Sequence, residues 1–450
     1  MKSKVSVIVF LIVVGFVHQS TGYRGAVFQP TYQASNYPSS NYPGALRDPF
    51  EVICRWKTLS FRDPPRAPQD KLAGNDYYIE KSNVPTGFSR HGPTKRIFVT
   101  IPRRNPGISS SVNFVYEDEC RNGSPQLRPY PDYATNELEP NLEADIGRII
   151  SVYRPTVDVC HRLWFVDTGI LEYPPGNKTV IQNPSLWIFD LRFNRVIRRY
   201  TIPDRLYGVE GVGLISLTVD TNPYNCDDAH AYMPNLELKN LLVYSLRRND
   251  IWAVSHPFMQ PDVNNMNYEL DGLKFGFPDG IFSVALTPGS QDRLAYFHPL
   301  ASLQEFSVPT HVLKDKSLSP DRYAPGDFKD LGVRGVKAQS AIHDIDQRGI
   351  LYYTEIQTNS IKCWNTRTPL KAENVGTVYE NAETMVYPND LEIDPEGDIW
   401  AMSNRFPIFI YRGLDPTDYN FHIVRGRRDL VGLNTVCLPA GDPDAIIFGP

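Results

Sequence analysis

The sequence predicts an all-β chain folded as a six-bladed β-propeller, preceded by an N-terminal signal peptide and a short low-complexity segment. The first observation is a strand-like phrase, centred on an aromatic, that recurs six times: Arg96–Thr100, Arg162–Gly169, His230–Met233, Leu294–Phe297, Ile350–Thr354 and Asp398–Ser403. Its anchors, Phe98, Trp164, Tyr232, Tyr296, Tyr352 and Trp400, stand about 50 to 70 residues apart. A long internal period of this kind decides architecture before any local motif does. The second observation is that most copies follow another apolar run, such as Val157-Asp158-Val159, Leu217–Asp220, Val284–Leu286, Ile342–Asp346 and Leu391–Asp394, whose alternation marks half-buried strands. The third is the chemistry of the connectors. Asp346-Gln347-Arg348-Gly349 and Asp394-Pro395-Glu396-Gly397 open with Asp or Pro and close with Gly, as tight turns require.

Third strands follow in Ser185–Leu191 and Asn240–Leu246. A unit of three or four antiparallel strands cannot cover both of its faces alone, and radial packing around an axis solves that problem. The period is too long for a β-helix, and one sandwich would not repeat one phrase six times. Helix signals are sparse, with Asn141–Ile149 one candidate, and the 38 prolines and 30 glycines suit a loop-rich β protein.

Residues 1–22 have the layout of a signal peptide. Lys2 and Lys4 precede an apolar stretch, Val5–Val17, too short to span a bilayer, and Ser20-Thr21-Gly22 offers small residues for cleavage. Residues 23–48 are rich in Tyr, Pro, Ser and Asn, and Asn36-Tyr37-Pro38 recurs as Asn41-Tyr42-Pro43. Without apolar periodicity this segment reads as disordered, a linker or a matrix-adhesive, cross-linkable tail through its tyrosines. The propeller spans 49–438, and 439–450 form an irregular tail. The expected protein is secreted and does not span a membrane.

All six cysteines (Cys54, Cys120, Cys160, Cys226, Cys363, Cys437) lie beyond the signal, and an even count in an exported chain points to disulfides, with 15 connectivities open. Asn122 and Asn177 head glycosylation sequons in polar stretches. A net charge of −5 and a pI near 6.0 leave no basic footprint for nucleic acid.

In a propeller the loops entering the innermost strands ring one mouth of the axial channel, a natural ligand site. That places Glu210, Asp279, Gln339, Asn389 and Asp390 near one another despite their distance in sequence. Carboxylates and amides so gathered admit several readings. They can bind Ca²⁺ through oxygen ligands, hold an amine or polar ring, perform acid–base work, or simply cap turns. Asn404 and Phe406, two apart on an extended chain, share a face that suits a small aromatic ligand. His343 lies beside Asp344 on a strand, either as an acid–base group or as blade packing. Asp279, His343 and Asp390 are therefore the catalytic candidates. No nucleophile elbow, zincin motif or phosphate loop is present, the histidines lack metal-ligand spacing, and no cofactor is expected, with Ca²⁺ kept as a minor alternative.

The run Val152–Gly169 resembles the hallmark segment of the insect yellow / major royal jelly protein family. Cys226–Tyr232, Phe277–Phe282, Cys363–Arg367, Trp400–Arg405, Trp56–Phe61 and Asn113-Phe114 carry the same likeness, which covers about residues 50–438. The resemblance implies a secreted six-bladed propeller and a disulfide between Cys120 and Cys160. It also implies a role in melanin or cuticle pigmentation. Either a catecholamine or indole is bound in the channel, or dopachrome is isomerised; a Ca²⁺-dependent lactonase-like propeller is a weaker alternative. Asn404 and Phe406 align with an amine-contacting pair in salivary members, and Asn389 lies near another such contact.

Overall fold

The computed structural model describes residues 49–62, 78–138, 147–173, 178–208, 213–289 and 292–439. The signal segment, the low-complexity segment, Glu210, Asn177 and most of Asn141–Ile149 lie outside them. Six four-stranded antiparallel sheets make six blades. Blade 1 comprises Gly87–His91, Arg96–Thr100, Val112–Tyr116 and Arg128–Pro129; blade 2 comprises Val152–Val157, Arg162–Asp167, Ser185–Asp190 and Arg195–Thr201. Blade 3 is built from Thr218–Asn222, Asn225–Asn235, Asn240–Ser245 and Asp250–Val254, and blade 4 from Ile281–Leu286, Leu294–Pro299, Gln304–Pro309 and Lys329–Val333. Blade 5 holds His343–Ile345, Ile350–Glu355, Ser360–Asn365 and Val375–Glu380. Blade 6 holds Pro388–Ile393, Ile399–Ser403 and Phe421–Gly426, and its outermost strand is Phe50–Trp56, from the other end of the domain. That pairing closes the circle by joining strands from the two ends of the domain in one sheet.

Every aromatic anchor lies on the second strand of its blade and belongs to the seam with the next blade. Phe98 packs with blade 2, Trp164 with blade 3, Tyr232 with blade 4, Tyr296 with blade 5, Tyr352 with blade 6 and Trp400 with blade 1. This is the physical content of the repeat: each phrase supplies one large ring to one inter-blade core. Four of the rings are also tied by their polar edge. Asp158 and Asp394, six residues ahead, accept from Trp164 Nε1 and Trp400 Nε1 at 2.8 Å; Asp220 takes the Tyr232 hydroxyl at 3.2 Å, and Asp346 bonds Tyr352. The hairpin aspartates are therefore latches as well as turn formers.

The inner strands have one edge facing the axis, with N–H and C=O groups that no ladder pairs. Side chains of the neighbouring blade answer them around the whole ring. Thr86 bonds Tyr153 O at 2.8 Å, Thr156 bonds Leu217 O at 3.0 Å, and Thr218 bonds Val284 O at 2.6 Å. His343 N donates to Ser283 Oγ at 3.2 Å, Ile393 N donates to Asp344 at 2.9 Å, and Phe88 N donates to Asp390 at 2.9 Å.

Three disulfides join Cys54 to Cys120, Cys160 to Cys226 and Cys363 to Cys437. The implied Cys120–Cys160 pair is thus corrected. Circular closure sets the outer strand of blade 6 against blade 1, bringing Cys54 to 4.7 Å (Cα–Cα) from Cys120, while Cys160 faces the blade 3 hairpin that carries Cys226. Asn122 is exposed at the end of a short 3-10 helix, as a glycan acceptor needs to be. Among the described residues no helix is long and apolar enough to cross a membrane.

Candidate functional site at the channel mouth

The hairpins joining first to second strands lie at one end of the propeller; the loops entering the inner strands and those joining second to third strands lie at the other. This second end is the mouth. Asp279 sits there, in the loop ahead of blade 4. Gly280 beside it has no room for a side chain, since a Cβ would stand 2.6 Å from Met259 O. Asp279 is partly exposed, and no hydrogen bond holds its carboxylate among the described residues. Burial raises its pKa, while Lys239 and Arg104 are near enough to oppose the shift.

A strip of rings borders it. Tyr268 and Phe275 stack at 5.3 Å, Phe275 meets Phe277 at 5.1 Å, Phe277 meets Tyr387 at 6.5 Å and Tyr387 meets Phe406 at 6.3 Å. Tyr387 adopts φ +56°, a left-handed conformation costly for a bulky side chain. Its N–H donates to Asn359 Oδ1 at 3.3 Å, and burial drives its hydroxyl pKa well up. The Arg104 guanidinium lies 5.0 Å over the Phe406 ring. Its Nη1 donates to the Tyr153 hydroxyl and pairs with Glu172, both at 2.8 Å, and the Tyr153 hydroxyl also donates to Glu172. Burial pulls the Arg104 pKa down, but Tyr153 and Glu172 more than offset it.

The remaining predicted residues separate. Asp390 is buried at the rim of the channel, accepting from Phe88 N at 2.9 Å and Leu391 N at 3.1 Å, with Arg154 Nε at 3.8 Å. Burial lifts its pKa to about 6. Asn389 Nδ2 donates to Thr86 O at 2.8 Å and leaves Oδ1 buried without a partner. Gln339 turns away from the axis, donating to Asn265 O at 3.2 Å and accepting from Gln357 at 2.7 Å. Asn404 is committed at both ends, Nδ2 to Pro85 O at 2.8 Å and Oδ1 to Phe406 N at 3.1 Å, so it positions Phe406 and only the ring faces the mouth. Glu210 lies outside the described residues.

His343 is sealed at 2% exposure. Its Nδ1 meets Ser283, and its Nε2 is 3.1 Å from Glu305, which also touches His298 Nδ1 at 3.2 Å and Arg334 at 2.8 Å. Among the described residues, His298, Glu305 and His343 are the one group of three whose donor atoms lie close enough to share a metal ion. Arg334 already gives Glu305 the positive charge a cation would bring, and burial pushes the His298 pKa down to about 3, leaving it neutral.

Sequence reasoning passed over Arg104, Tyr153, Glu172, Lys239 and Tyr387. Tyr153 and Tyr387 lie within segments already marked by family likeness or by position at a mouth loop. Arg104, Glu172 and Lys239 sit in loops between second and third strands, which carry no repeated phrase. Deeper in the channel, Asp344 and Glu392 are partly exposed; burial raises them to about 6 and about 8. Glu392 accepts from Ser89 Oγ and Arg90 N, both at 2.6 Å.

Residues 150–437 match the major royal jelly protein family. The chain belongs to that family. Among its relatives, L-dopachrome tautomerase yellow-f of Drosophila melanogaster is 42% identical over 415 residues, covering 87% of this chain and 94% of that protein. The dopaminechrome tautomerase of the same organism is 32% identical, covering 96% and 95%. Protein yellow, also of Drosophila melanogaster, is 33% identical, covering 85% of this chain and 69% of its own length.

Proposed function

We propose that this major royal jelly family member is an exported aminochrome tautomerase of melanin chemistry, acting on a dopachrome-type ring at the channel mouth. The observation that carries the reading is Asp279: a carboxylate with a raised pKa, open to the mouth between aromatic walls and two cations. Tautomerisation to a dihydroxyindole moves two protons in turn, one from each saturated ring carbon, to the two quinone oxygens, so it needs an acid–base group and no redox partner. The ring stacks along Phe277, Tyr387 and Phe406, Asp279 takes the carbon proton, and Arg104 or Lys239 steadies charge gathering on oxygen. Three disulfides fit an oxidising compartment. The relatives named as tautomerases, similar over most of their length, support the same reaction class.

The test is the decay of dopachrome absorbance with the purified secreted chain. The expected result is a rate above the uncatalysed one, falling by about a hundredfold or more in Asp279→Asn. Full turnover in that variant with loss in Asp390→Asn would move the base to Asp390. Saturable binding of dopamine without any rate enhancement would instead make the protein a catecholamine carrier, with Asp279 as the counter-charge to the amine.

A further inference from the structure

Two buried tyrosines beside the mouth have committed hydroxyls. Tyr153 Oη donates to Glu172 and accepts from Arg104 Nη1 at 2.8 Å, and Tyr268 Oη donates to Leu300 O at 3.0 Å. Tyr387 differs. It is 5% exposed, no described group bonds its hydroxyl, and the small part that reaches solvent includes the hydroxyl oxygen. Tyr353 Oη is also unbonded, but it is sealed inside a seam between blades.

The backbone is bent to present this group. Among the described residues, Tyr387 is the only tyrosine or phenylalanine at positive φ, a conformation that glycine or asparagine adopts far more readily. The Asn359 carboxamide holds its N–H, and the Phe277 and Phe406 rings flank its own at 6.5 and 6.3 Å. Just inside the mouth, Arg154 of blade 2 reaches across the axis. It donates to Asn389 O of blade 6 and to Ala341 O, ahead of blade 5, at 3.3 Å, and its guanidinium lies 5.0 Å over the Phe282 ring of blade 4. Gly87 leaves room for that reach, since a Cβ there would stand 2.8 Å from Arg154 Cγ. Arg154 thus bars the axis next to Tyr387. Burial keeps the Tyr387 hydroxyl protonated, and Arg154, Asp279 and Arg104 are all near enough for their charges to bear on it.

We infer that Tyr387 Oη is the hydrogen-bond donor to the substrate oxygen on which negative charge gathers, a catalytic residue alongside Asp279. This rests on the tautomerase reading and adds the group that answers the base. In each proton transfer Asp279 breaks one ring C–H bond and takes the proton, and the electron pair moves through the conjugated ring to a quinone oxygen. The Tyr387 O–H tightens onto that oxygen and keeps its own proton. The oxygen is then protonated by water, and Asp279 returns its proton to water, so the protein neither gains nor loses electrons. Arg104 is held by Tyr153 and Glu172 and acts through its charge, whereas the free hydroxyl makes the directed bond.

Two measurements on the full secreted chain test this, one with turnover and one without. Tyr387→Phe removes one oxygen and no internal hydrogen bond, so its thermal midpoint is expected to match the parent's. With dopachrome, kcat is expected to fall about a hundredfold while KM stays within about twofold. With 4-nitrocatechol, a phenolate that cannot tautomerise and is followed by its own absorbance, affinity is expected to fall about tenfold. An active parent whose Tyr387→Phe variant keeps full kcat overturns the inference, whatever binding does. A parent without turnover refutes the tautomerase reading alone, and 4-nitrocatechol then decides. Unchanged affinity in the variant, or no saturable binding to the parent, overturns the hydroxyl contact; a tenfold loss upholds Tyr387 as the oxygen-binding group of the mouth.

Discussion

At the hairpin end of the propeller, Asp158 accepts from Cys160 N, Arg162 N, Arg162 Nε and Trp164 Nε1, all within 3.0 Å. At the mouth end, Asp279 stands just ahead of the first strand of its blade, where Asp158 stands just after that of its own, and no described side chain bonds its carboxylate. The same contrast runs through the molecule. Asp220, Asp346 and Asp394 are bound to the ring of the following strand and to Lys314, Arg348 and Arg90 at 2.6 to 3.0 Å. The mouth gathers a raised carboxylate, a tyrosine in a left-handed conformation and an unanswered amide oxygen on Asn389. Satisfied polar groups hold a blade together, and unsatisfied ones near a channel are where a protein keeps chemistry. One end is therefore built for closure, and the other holds the groups on which the proposed site rests.

The largest effect expected from breaking this contrast is at the hairpin end. Asp158→Ala leaves the Arg162 guanidinium and Trp164 Nε1 buried without their acceptor, which costs about 3–5 kcal/mol. Asp279→Asn removes no hydrogen bond from the folded chain and shifts stability by about 0.5 kcal/mol or less. Urea or thermal unfolding of the two variants measures the difference. Equal midpoints would show that the aspartate latches are ornament and that apolar packing alone closes the ring.

A smaller effect separates the channel from both ends. Burial raises Asp344 and Asp390 to about 6 and Glu392 to about 8, above the ordinary carboxylate value of about 4. Between the unfolded and folded pKa values the folded chain holds more protons than the unfolded one. Stability is therefore fullest below about pH 4 on account of these groups and declines as pH rises, to about 6 for the two aspartates and about 8 for Glu392. Thermal midpoints of Glu392→Gln between pH 5 and 8 should fall less steeply than those of the parent. A parallel slope in both proteins would mean that Glu392 titrates as a solvated carboxylate.

The parts legible in the sequence are those where one residue type recurs for one physical reason. Phe98 through Trp400 recur because each seam needs a large ring, and the second strands are apolar at successive positions because both of their sides face a neighbouring blade: Leu163 and Phe165 pack with blade 1, Trp164 and Val166 with blade 3. Closure was not legible: Phe50–Trp56 pairs with Phe421–Gly426 across some 370 residues, and no local pattern encodes a partner that distant. The Cys54–Cys120 bond follows from that closure, which is why a pairing by likeness misplaced it. At the mouth, Asp279 was legible from its loop position, whereas Arg104 and Glu172 lie in second-to-third-strand loops that differ in length from blade to blade. Asn404 was read as a ligand contact from its spacing to Phe406, but a buried amide must satisfy two ends, and Pro85 and Phe406 take both.

That pair gives the smallest and sharpest comparison. Phe406 offers its ring to the mouth beside Tyr387 and under Arg104, while Asn404 holds the backbone that presents it. Phe406→Leu keeps an apolar side chain of similar bulk and removes the aromatic face, a change worth about 0.5–1.5 kcal/mol where rings stack. The expected result is a KM for dopachrome raised by about two- to tenfold with kcat near the parent value, because stacking is felt equally by the bound substrate and the transition state. Asn404→Ala should act differently, lowering the thermal midpoint by the loss of two buried hydrogen bonds and altering KM only through movement of Phe406. If Asn404→Ala raised KM more than Phe406→Leu at unchanged stability, the amide itself would be touching substrate, and the mouth would have to open by releasing its bond to Pro85.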